Sequence, residues 1–449
     1  MNMMKRNISL IAICVALADI TLVGCSRFEE EDLFSESAAL RIEHNAEKLQ
    51  EILVNAPQGW VVQYYTGRGV SVFEGFNLFA KFEKGGKVTM AGNHRFLRDG
   101  NAGKYTEASS LYEVIREDGL VLAFNTWSDI LTPFVDPVAP WAAPKTILKD
   151  GAGMQGDQNL VVKSMKENEI IFRGERYDAE IRMAKLDRDW QTYINDTETM
   201  RNQITNDVIT SYYLMAGNDT LYIVGPRNGR YRIADRVNNP LKIDSVSCCF
   251  TPTGFRNEKA DTLAGHRFQE FKLNEDRTAL VNEDGTVQVI PTWDTYIVSV
   301  RSATWNFDQD KLTDEQKGLL EQINTELNSF NKNYSFAQVG LGRSTGSGAI
   351  KGLVVTFYTN AAKSKTNTVG LSLTTNRPAY GQMQIVYGGD AEEIDKNLST
   401  IGAKSNTEAL MRQFAATLSG SYTVVPNNYF LPTGCDLHAV GGGIDYTLK

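Results

Sequence analysis

The serine at position 344 is the side chain whose neighbours most resemble a catalytic motif. Gly342-Arg343-Ser344-Thr345-Gly346 matches the G-x-S-x-G pattern, in which a serine attacks a carbonyl carbon. That chemistry requires a strand, a sharp turn and then a helix, so that the serine stands above the sheet. Here the chain continues through Gly348 into a strand-like segment. The stretch therefore predicts a glycine- and serine-rich hairpin or loop, and we assign no catalytic residue.

Tryptophan rings could bind a sugar, because the C–H faces of a pyranose are apolar and stack on an electron-rich ring. The chain has six tryptophans, most of which we expect in the core. Trp141 is the first candidate for an exposed ligand-binding ring, since it lies in the proline-rich segment 137–144. Trp127 is the second candidate.

Leu22-Val23-Gly24-Cys25 indicates a different chemistry, the attachment of lipid to a cysteine. These residues resemble the bacterial lipobox, at which signal peptidase cuts before a diacylated cysteine. They follow a short basic start and an apolar run at 8–23, the order of a secretory signal peptide. The run is interrupted by Asp19 and is shorter than the ~20 residues that span a bilayer. We expect a cleaved signal peptide and a lipid anchor on Cys25.

The segment after this cysteine contains an acidic run, Glu29-Glu30-Glu31-Asp32. Like charges repel one another and keep such a run extended, which suits a tether. The run also resembles the acidic tract that follows the lipidated cysteine in Bacteroidota lipoproteins exported to the outer face. We therefore expect a lipid-anchored outer-membrane protein that faces the cell surface, with the periplasmic face as the alternative.

Five cysteines are present, of which Cys14 would leave with the signal peptide and Cys25 would carry the lipid. In an exported protein, Cys435 could form a disulfide with Cys248 or Cys249. The alternative is three buried thiols that pack as small apolar residues. The cysteine spacing fits no zinc motif, and the four histidines are scattered singly. We predict no metal and no cofactor.

The bulk composition is that of a globular protein, with 42% hydrophobic and 22% charged residues. A net charge of −8 offers no basic stripe for phosphates, which argues against nucleic-acid binding. No apolar run after the signal peptide is long enough to span a bilayer. Membrane attachment would therefore depend on the lipid.

Local patterns predict a helix followed by strands, and they predict it twice. Apolar residues at spacings of three and four predict a helix over 35–54, and hairpins follow with turns at 84–86, 117–119 and 167–168. A second helix is predicted over about 189–204, followed by strands up to 290. Serial hairpins are typical of an antiparallel meander that curls or closes, since closure leaves few bare edges.

The last section has mixed patterns. Thr313 with Gln316, and Ser405 with Glu408, form two capping boxes that predict helix starts, with strands around them. The predicted fold class is α+β and predominantly antiparallel β, with two curled or barrel-like meander domains, each preceded by an amphipathic helix, and a C-terminal α+β section. The predicted boundaries are a signal peptide at 1–24, a tether at 25–34, two helix-plus-meander domains at 35–186 and 187–305, and the α+β domain at 306–449.

Packing and turn residues of the first meander resemble those of a known family. The likeness is carried by Ala56-Pro57-Gln58-Gly59-Trp60, Gly75-Phe76-Asn77-Leu78 and the segment 125–131 with the sequence NTWSDIL. With these stretches, the chain resembles Bacteroidota lipoproteins catalogued as a domain of unknown function, number 4302. The likeness covers mainly residues 30–190. It implies an accessory lipoprotein of an outer-membrane nutrient uptake system, and it assigns no catalytic residue.

These observations predict a lipid-anchored accessory protein with a non-catalytic binding role in nutrient acquisition. Its expected partners are the membrane, through the lipid, and a glycan or peptide ligand or outer-membrane uptake proteins. One alternative is a structural or adhesive surface protein, which a large exposed apolar patch would favour. Another is a hydrolase with a site assembled from distant residues, which convergent carboxylates with shifted pKa would favour. An aromatic-lined cleft would favour ligand capture.

Overall fold

The computed structural model describes most of the chain after the predicted anchor and tether. The signal peptide, Cys25, the acidic tether and Trp141 lie outside the described residues, so their predicted roles stay predictions. In the described ranges, no helix is both long enough and apolar enough to cross a membrane. Those ranges are 38–67, 73–117, 119–136, 153–234, 243–299 and 304–449.

The first helix is followed by a closed barrel of eight antiparallel strands. The elements are α1 (Ala38–Val54), β1 (Trp60–Tyr64), β2 (Phe76–Phe82), β3 (Lys87–Gly92), β4 (Thr106–Glu117), β5 (Gly119–Phe124), the short helix α2 (Thr132–Val135), β6 (Asn159–Lys166), β7 (Glu169–Gly174) and β8 (Glu180–Lys185). The barrel closes at Trp60, which pairs with Ala80 of β2 and with Lys185 of β8. Trp60 is buried and donates from Nε1 to the carbonyl of Leu53 at 3.0 Å, which ties α1 to the barrel.

A second closed barrel follows, again with eight antiparallel strands. Its elements are α3 (Trp190–Ile204), β9 (Ser211–Ala216), β10 (Asp219–Arg227), β11 (Arg230–Ala234), β12 (Ile243–Thr251), β13 (Gly254–Leu263), β14 (His266–Leu273), β15 (Leu280–Val281) and β16 (Val287–Pro291). It closes where β16 pairs with β9, with Val289 opposite Leu214.

Helix α3 joins the two barrels. It begins after Asp189, whose Oδ1 accepts a hydrogen bond from the backbone N–H of Thr192 at 3.0 Å. Its first turn packs on the first barrel, where the ring of Trp190 stacks on Phe79 with 5.8 Å between centroids. Its last residue, Ile204, lies in the core of the second barrel. The helix is therefore anchored to a different barrel at each end.

The C-terminal section is an α+β arrangement with two small antiparallel sheets, of four and five strands. The first sheet contains β17 (Trp305–Asn306), β18 (Ser335–Arg343), β19 (Lys351–Tyr358) and β20 (Thr366–Ser372), and the second contains β21 (Thr374–Asn376), β22 (Gln382–Val386), β23 (Gly420–Pro426), β24 (Cys435–Ala439) and β25 (Tyr446–Leu448). Its helices are α4 (Trp293–Ser299), α5 (Asp314–Phe330), α6 (Lys396–Gly402) and α7 (Thr407–Leu418). This section shares one continuous apolar core with the second barrel, whereas the first barrel has a core of its own.

The predicted fold class is confirmed, because the described chain is mostly antiparallel β with two helix-led barrels and a C-terminal α+β region. The capping box at Thr313 and Gln316 is present at the start of α5. The capping box predicted at Ser405 and Glu408 is wrong. The N-cap of α7 is Asn406, which makes no side-chain cap, while the Ser405 hydroxyl donates to the carbonyl of Ile401.

Candidate functional site

Two adjoining cavities lie where loops of the first barrel, helix α3 and the β10–β11 turn of the second barrel meet. Their volumes are about 760 and 520 Å³. We call the pair the inter-barrel cleft, and its parts the larger and the smaller cavity. Both cavities are lined by Glu74, Arg95, Glu198, Arg201 and Asn228.

Hydrogen bonds to backbone carbonyl groups dock the barrels closely beside the cleft. The N–H of Gly75 donates to the carbonyl of Cys248 at 3.2 Å, and Asn77 Nδ2 donates to the carbonyl of Phe250 at 2.8 Å. A Cβ atom on Gly75 would lie 2.5 Å from a ring carbon of Tyr65 and 2.6 Å from Sγ of Cys249. Glycine at position 75 therefore permits this close approach.

The β10–β11 turn brings Asn228 against the first barrel. Asn228 and Gly229 have φ values of 51° and 67°, a region that asparagine and glycine adopt most readily. A Cβ atom on Gly229 would lie 2.8 Å from Cβ of Glu74 and 2.9 Å from the carbonyl oxygen of Cys248. The turn thus combines left-handed backbone with a close contact between the two barrels.

A buried polar network also fixes one barrel relative to the other. Arg256 of β13 donates from Nη2 to Oε1 of Glu180 in β8 at 3.0 Å, and Gln269 Nε2 donates to the same oxygen at 2.9 Å. The Arg256 side chain is 7% exposed and that of Glu180 is 33% exposed. The phenol of Tyr65 donates to the carbonyl of Arg256 at 2.9 Å. The walls of the cleft are therefore held by paired polar groups as well as by apolar packing.

The larger cavity has an excess of positive charge. Its described lining contains five arginines and three carboxylates, although the whole chain has a net charge of −8. Three ion pairs hold some of these groups: Arg95 with Glu74 at 2.8 Å, Arg201 with Glu198 at 3.3 Å and Arg227 with Asp207 at 3.1 Å. The other two arginines, Arg230 and Arg232, lie in β11, and Arg230 donates from Nη2 to Oγ of Ser245 at 3.2 Å. The excess favours an anionic group in this cavity.

The smaller cavity is lined by three residues with buried polar atoms that lack a hydrogen-bond partner among the described residues. They are Asn77 Oδ1, His94 Nδ1 and Thr197 Oγ1. Buried polar atoms are usually hydrogen-bonded, because leaving them unpaired costs free energy. Because three residues that line this cavity carry such atoms, it is a candidate site for a ligand that forms hydrogen bonds.

The hydrogen bonding of His94 shows which of its nitrogen atoms can accept. Nε2 lies 2.9 Å from the carbonyl oxygen of Ile130, and a carbonyl only accepts, so Nε2 carries the hydrogen. Nδ1 therefore has the lone pair. Burial lowers the pKa of His94 to about 4, so the ring is neutral at pH 7. His94 can accept a hydrogen bond from an O–H or N–H group of a ligand.

Aromatic rings hold this histidine in place. Phe134 of α2 lies 4.6 Å from the rings of both His94 and Phe76, measured between centroids. It also contacts Phe96 and Tyr64, at 5.8 and 5.4 Å. The histidine is thus part of the aromatic core of the first barrel, and Phe76 also lines the smaller cavity.

The depressed pKa of His94 predicts a loss of stability in mild acid. Between pH 6.5 and about 4 the unfolded chain binds a proton that the folded protein excludes, so stability falls as the pH falls through this window. We expect His94 to lower the free energy of unfolding by about 2 kcal/mol between pH 7 and pH 5. Urea denaturation of wild type and of His94→Gln at the two pH values measures it. Equal pH dependence of the two proteins would contradict this assignment.

Trp127 is on the surface but does not line the cleft. Its side chain is 49% exposed, its Nε1 donates to Asp129 Oδ1 at 2.7 Å, and the guanidinium of Arg98 lies 4.5 Å from its ring centroid. Its role in ligand binding stays a prediction, as does that of Trp141. The buried tryptophans of the described chain are Trp60, Trp293 and Trp305.

Of the two alternatives that the sequence left open for the cysteines, the structure has the three buried thiols: Cys248, Cys249 and Cys435 are free and buried. Cys248 and Cys249 lie in β12 of the second barrel, and Cys249 packs against Tyr65 of the first. Cys435 lies in β24 of the C-terminal sheet. Cys248 and Cys435 belong to the shared core of the second barrel and the C-terminal section, and burial raises the pKa of Cys249 and of Cys435 to about 12.

Thiol labelling provides a direct check on this arrangement. In residues 26–449 we expect no rapid reaction with a thiol reagent at pH 8 in the folded protein, because the three thiols are buried and protonated. After denaturation without reductant, three thiols should react. One reactive thiol instead of three would show that two of the cysteines form a disulfide, and loss of that disulfide in Cys435→Ser would identify Cys435 as one of them.

Ser344 lies in a hairpin, as the sequence predicts. It follows β18 and precedes β19, and its buried Oγ accepts a hydrogen bond from the N–H of Ile350 at 3.1 Å. Its hydroxyl therefore stabilises the turn. In the described part of the chain, no group of three or more His, Cys, Asp or Glu residues could hold a metal ion.

The sequence contains a signal for the cleft that motif searching overlooks. Arg230 and Arg232 are two positions apart in β11, and side chains at that spacing project from the same face of a strand. They follow Asn228-Gly229, a pair typical of a tight turn. A turn beside a one-sided arginine pair is a feature from which a binding surface could be predicted.

Comparison with known proteins identifies a family but no function. The curated proteins contain no match. Among solved structures, the DNA polymerase III subunit beta of Borrelia burgdorferi, in complex with a natural product, is 10% identical over 91% of this chain and 96% of that one; its TM-score of 0.12 is too low to support any argument. The model of the domain of unknown function DUF4302 matches residues 30–275, a range that contains every residue lining the cleft. The match covers more than half of the chain, which therefore belongs to the DUF4302 family.

Proposed function

We propose that this protein is a lipid-anchored accessory lipoprotein of the outer membrane, exposed at the cell surface, that captures a polar ligand for nutrient uptake. The lipobox-like residues 22–25 and the acidic run after them support the anchor and its location. The observation that carries the binding role is the inter-barrel cleft. It contains unpartnered polar atoms in a frame that hydrogen bonds and ion pairs hold in place.

The wall of the smaller cavity supports ligand capture over adhesion. Phe76, Phe79, Tyr193 and Phe250 contribute to it, which makes it an aromatic-lined cavity with polar groups between the rings. Apolar walls with a few fixed polar groups are typical of sites for small ligands. Glycans offer O–H groups and peptides offer N–H groups. Asn77 Oδ1 and His94 Nδ1 can accept a hydrogen bond from either kind of group.

Binding is tested with residues 26–449 on glycan and peptide arrays, followed by calorimetry on each hit. We expect saturable binding that Thr197→Val weakens about fivefold to tenfold, since a neutral hydrogen bond contributes about 1 kcal/mol. Because the Thr197 hydroxyl has no hydrogen-bond partner in the described part of the chain, its removal should leave thermal stability unchanged or slightly higher.

Thr199→Val is the matched control, since Thr199 is exposed on the same helix and lies outside both cavities. It should bind as wild type does. Blank arrays with folded protein would contradict glycan or peptide capture. Binding that survives Thr197→Val and is lost in Trp127→Ala would place the ligand on the exposed tryptophan instead of in the cleft.

The anchor is tested separately in cells. Cys25→Ala should abolish labelling with a radioactive fatty acid and release the protein from the membrane fraction. Added protease should digest the wild-type protein on intact cells if it faces outward. Protection from protease with normal acylation would place it on the periplasmic face.

A further inference from the structure

The charge of the cleft is divided unevenly between its two cavities. Three arginines, at 227, 230 and 232, line only the larger cavity, and so does one carboxylate, Asp207, which pairs with Arg227 at 3.1 Å. Arg95 and Arg201, which pair with Glu74 and Glu198, line both cavities. The described lining of the smaller cavity therefore has two cations and two carboxylates, and its histidine is neutral. Positive potential is concentrated at the β10–β11 end of the cleft.

The two cavities favour different chemical groups of one ligand. The excess of arginines at the β10–β11 end favours a carboxylate, sulfate or phosphate, because guanidinium groups bind such oxygens strongly. The smaller cavity has two acceptors, Asn77 Oδ1 and His94 Nδ1, and one hydroxyl, that of Thr197. A ligand hydroxyl can donate to either acceptor, and it can also accept from the threonine.

Several hydroxyl groups within the width of one ring suit this smaller cavity better than a peptide backbone does. A peptide presents one N–H per residue, spaced by about 3.3 Å along an extended chain and pointing to alternate sides. A pyranose presents neighbouring hydroxyls and an apolar face, and the wall of this cavity supplies aromatic side chains from Phe76 and Phe250.

We infer that the inter-barrel cleft binds an acidic oligosaccharide, with its anionic group at the arginines of the larger cavity and neutral hydroxyl groups in the smaller one. This inference rests on the proposed ligand-capture function and names the ligand class for it. The anion lies at the β10–β11 end, where Arg232 lines the larger cavity together with the pairs Arg227–Asp207 and Arg201–Glu198.

The test uses matched pairs of oligosaccharides: uronates and their methyl esters, sulfated sugars and their desulfated forms, and sialylated sugars and their asialo forms. Calorimetry with residues 26–449 should show at least one acid bound about tenfold or more tightly than its neutral counterpart, as charge-assisted hydrogen bonds predict. Raising the salt concentration should reduce this difference, since salt screens exposed charges.

Two variants test which cavity binds each part of the ligand. Arg232→Ala should weaken binding of the acid about tenfold and leave binding of the neutral sugar unchanged, whereas Thr197→Val should weaken both. Arg232 is exposed, so its loss should not affect folding. Arg173→Ala is the control, because Arg173 is an exposed arginine of the first barrel outside both cavities.

The possible failures are distinguishable. If the acid and neutral forms bind equally well and Thr197→Val weakens both, the ligand is not specifically acidic. That result would overturn this inference and leave the proposed function unchanged. Binding of inorganic phosphate or of acidic peptides alone would overturn the oligosaccharide class. If no sugar or peptide binds, or if neither variant changes the affinity of any ligand found, both the inference and the proposed site are wrong.

Discussion

Replacing Phe134 by alanine should destabilise the first barrel by about 3–5 kcal/mol, the range observed when a large aromatic side chain is removed from a core. Phe134 is fully buried in α2 and lies at the centre of an aromatic cluster that includes Phe76 and His94. Its loss would leave a cavity, because the surrounding rings cannot easily move to fill it. A fall in the urea midpoint at constant slope measures the effect.

Phe134→Leu is the control, since it keeps most of the buried volume and should cost only about 1–1.5 kcal/mol. Losses of equal size in the two variants would show that the ring is not held by packing. The comparison also concerns the cleft, because Phe134 contacts the ring of His94, whose Nδ1 is one of the unpartnered acceptors.

Removing Glu180 should destabilise the docking of the two barrels by about 2–3 kcal/mol, because Arg256 would keep a buried charge without its carboxylate. The expected loss is below that of a fully buried pair, since the Glu180 side chain is 33% exposed. The double variant Glu180→Leu with Arg256→Met should recover much of the loss, because neither charge remains buried. Urea denaturation of the two single variants and the double variant completes the cycle.

An exposed ion pair provides the reference for this cycle. Glu83 and Lys87 are each about half exposed, so Glu83→Ala should change stability by less than about 0.5 kcal/mol. If Glu180→Leu were equally mild, the inter-barrel pair would be exposed in solution. A double variant less stable than either single variant would contradict the role of buried charge.

Local features of the sequence predict local features of the structure closely. The predicted helices at 35–54 and 189–204 correspond to Ala38–Val54 and Trp190–Ile204, and the turn at 84–86 lies between β2 and β3. These elements depend on side chains within one or two turns of each other, through apolar periodicity and glycine at positions of positive φ. That information is present in a short window of sequence.

Strand β13 is an element that a short window of sequence does not predict. It contains Arg256, Asn257 and Glu258, which lie together in the chain and are buried despite their polarity. A polar run of this kind is typical of a surface loop, and the sequence did not predict a strand there. The reason is tertiary, because Arg256 and Gln269 find their polar partner, Glu180, on the first barrel.

The sequence alone determined the helices that precede the two barrels and the antiparallel β-rich class, because these depend on residues near one another in the chain. The lipid anchor on Cys25 stays a prediction. The cleft was decided only by tertiary structure. Its walls come from Glu74 and Arg95 of one barrel, Arg201 of the joining helix and Arg232 of the other barrel. Closure of both barrels and their close docking bring these side chains together. The same packing also decides which polar atoms are buried without a partner, since a side chain is exposed or buried only with respect to the whole fold.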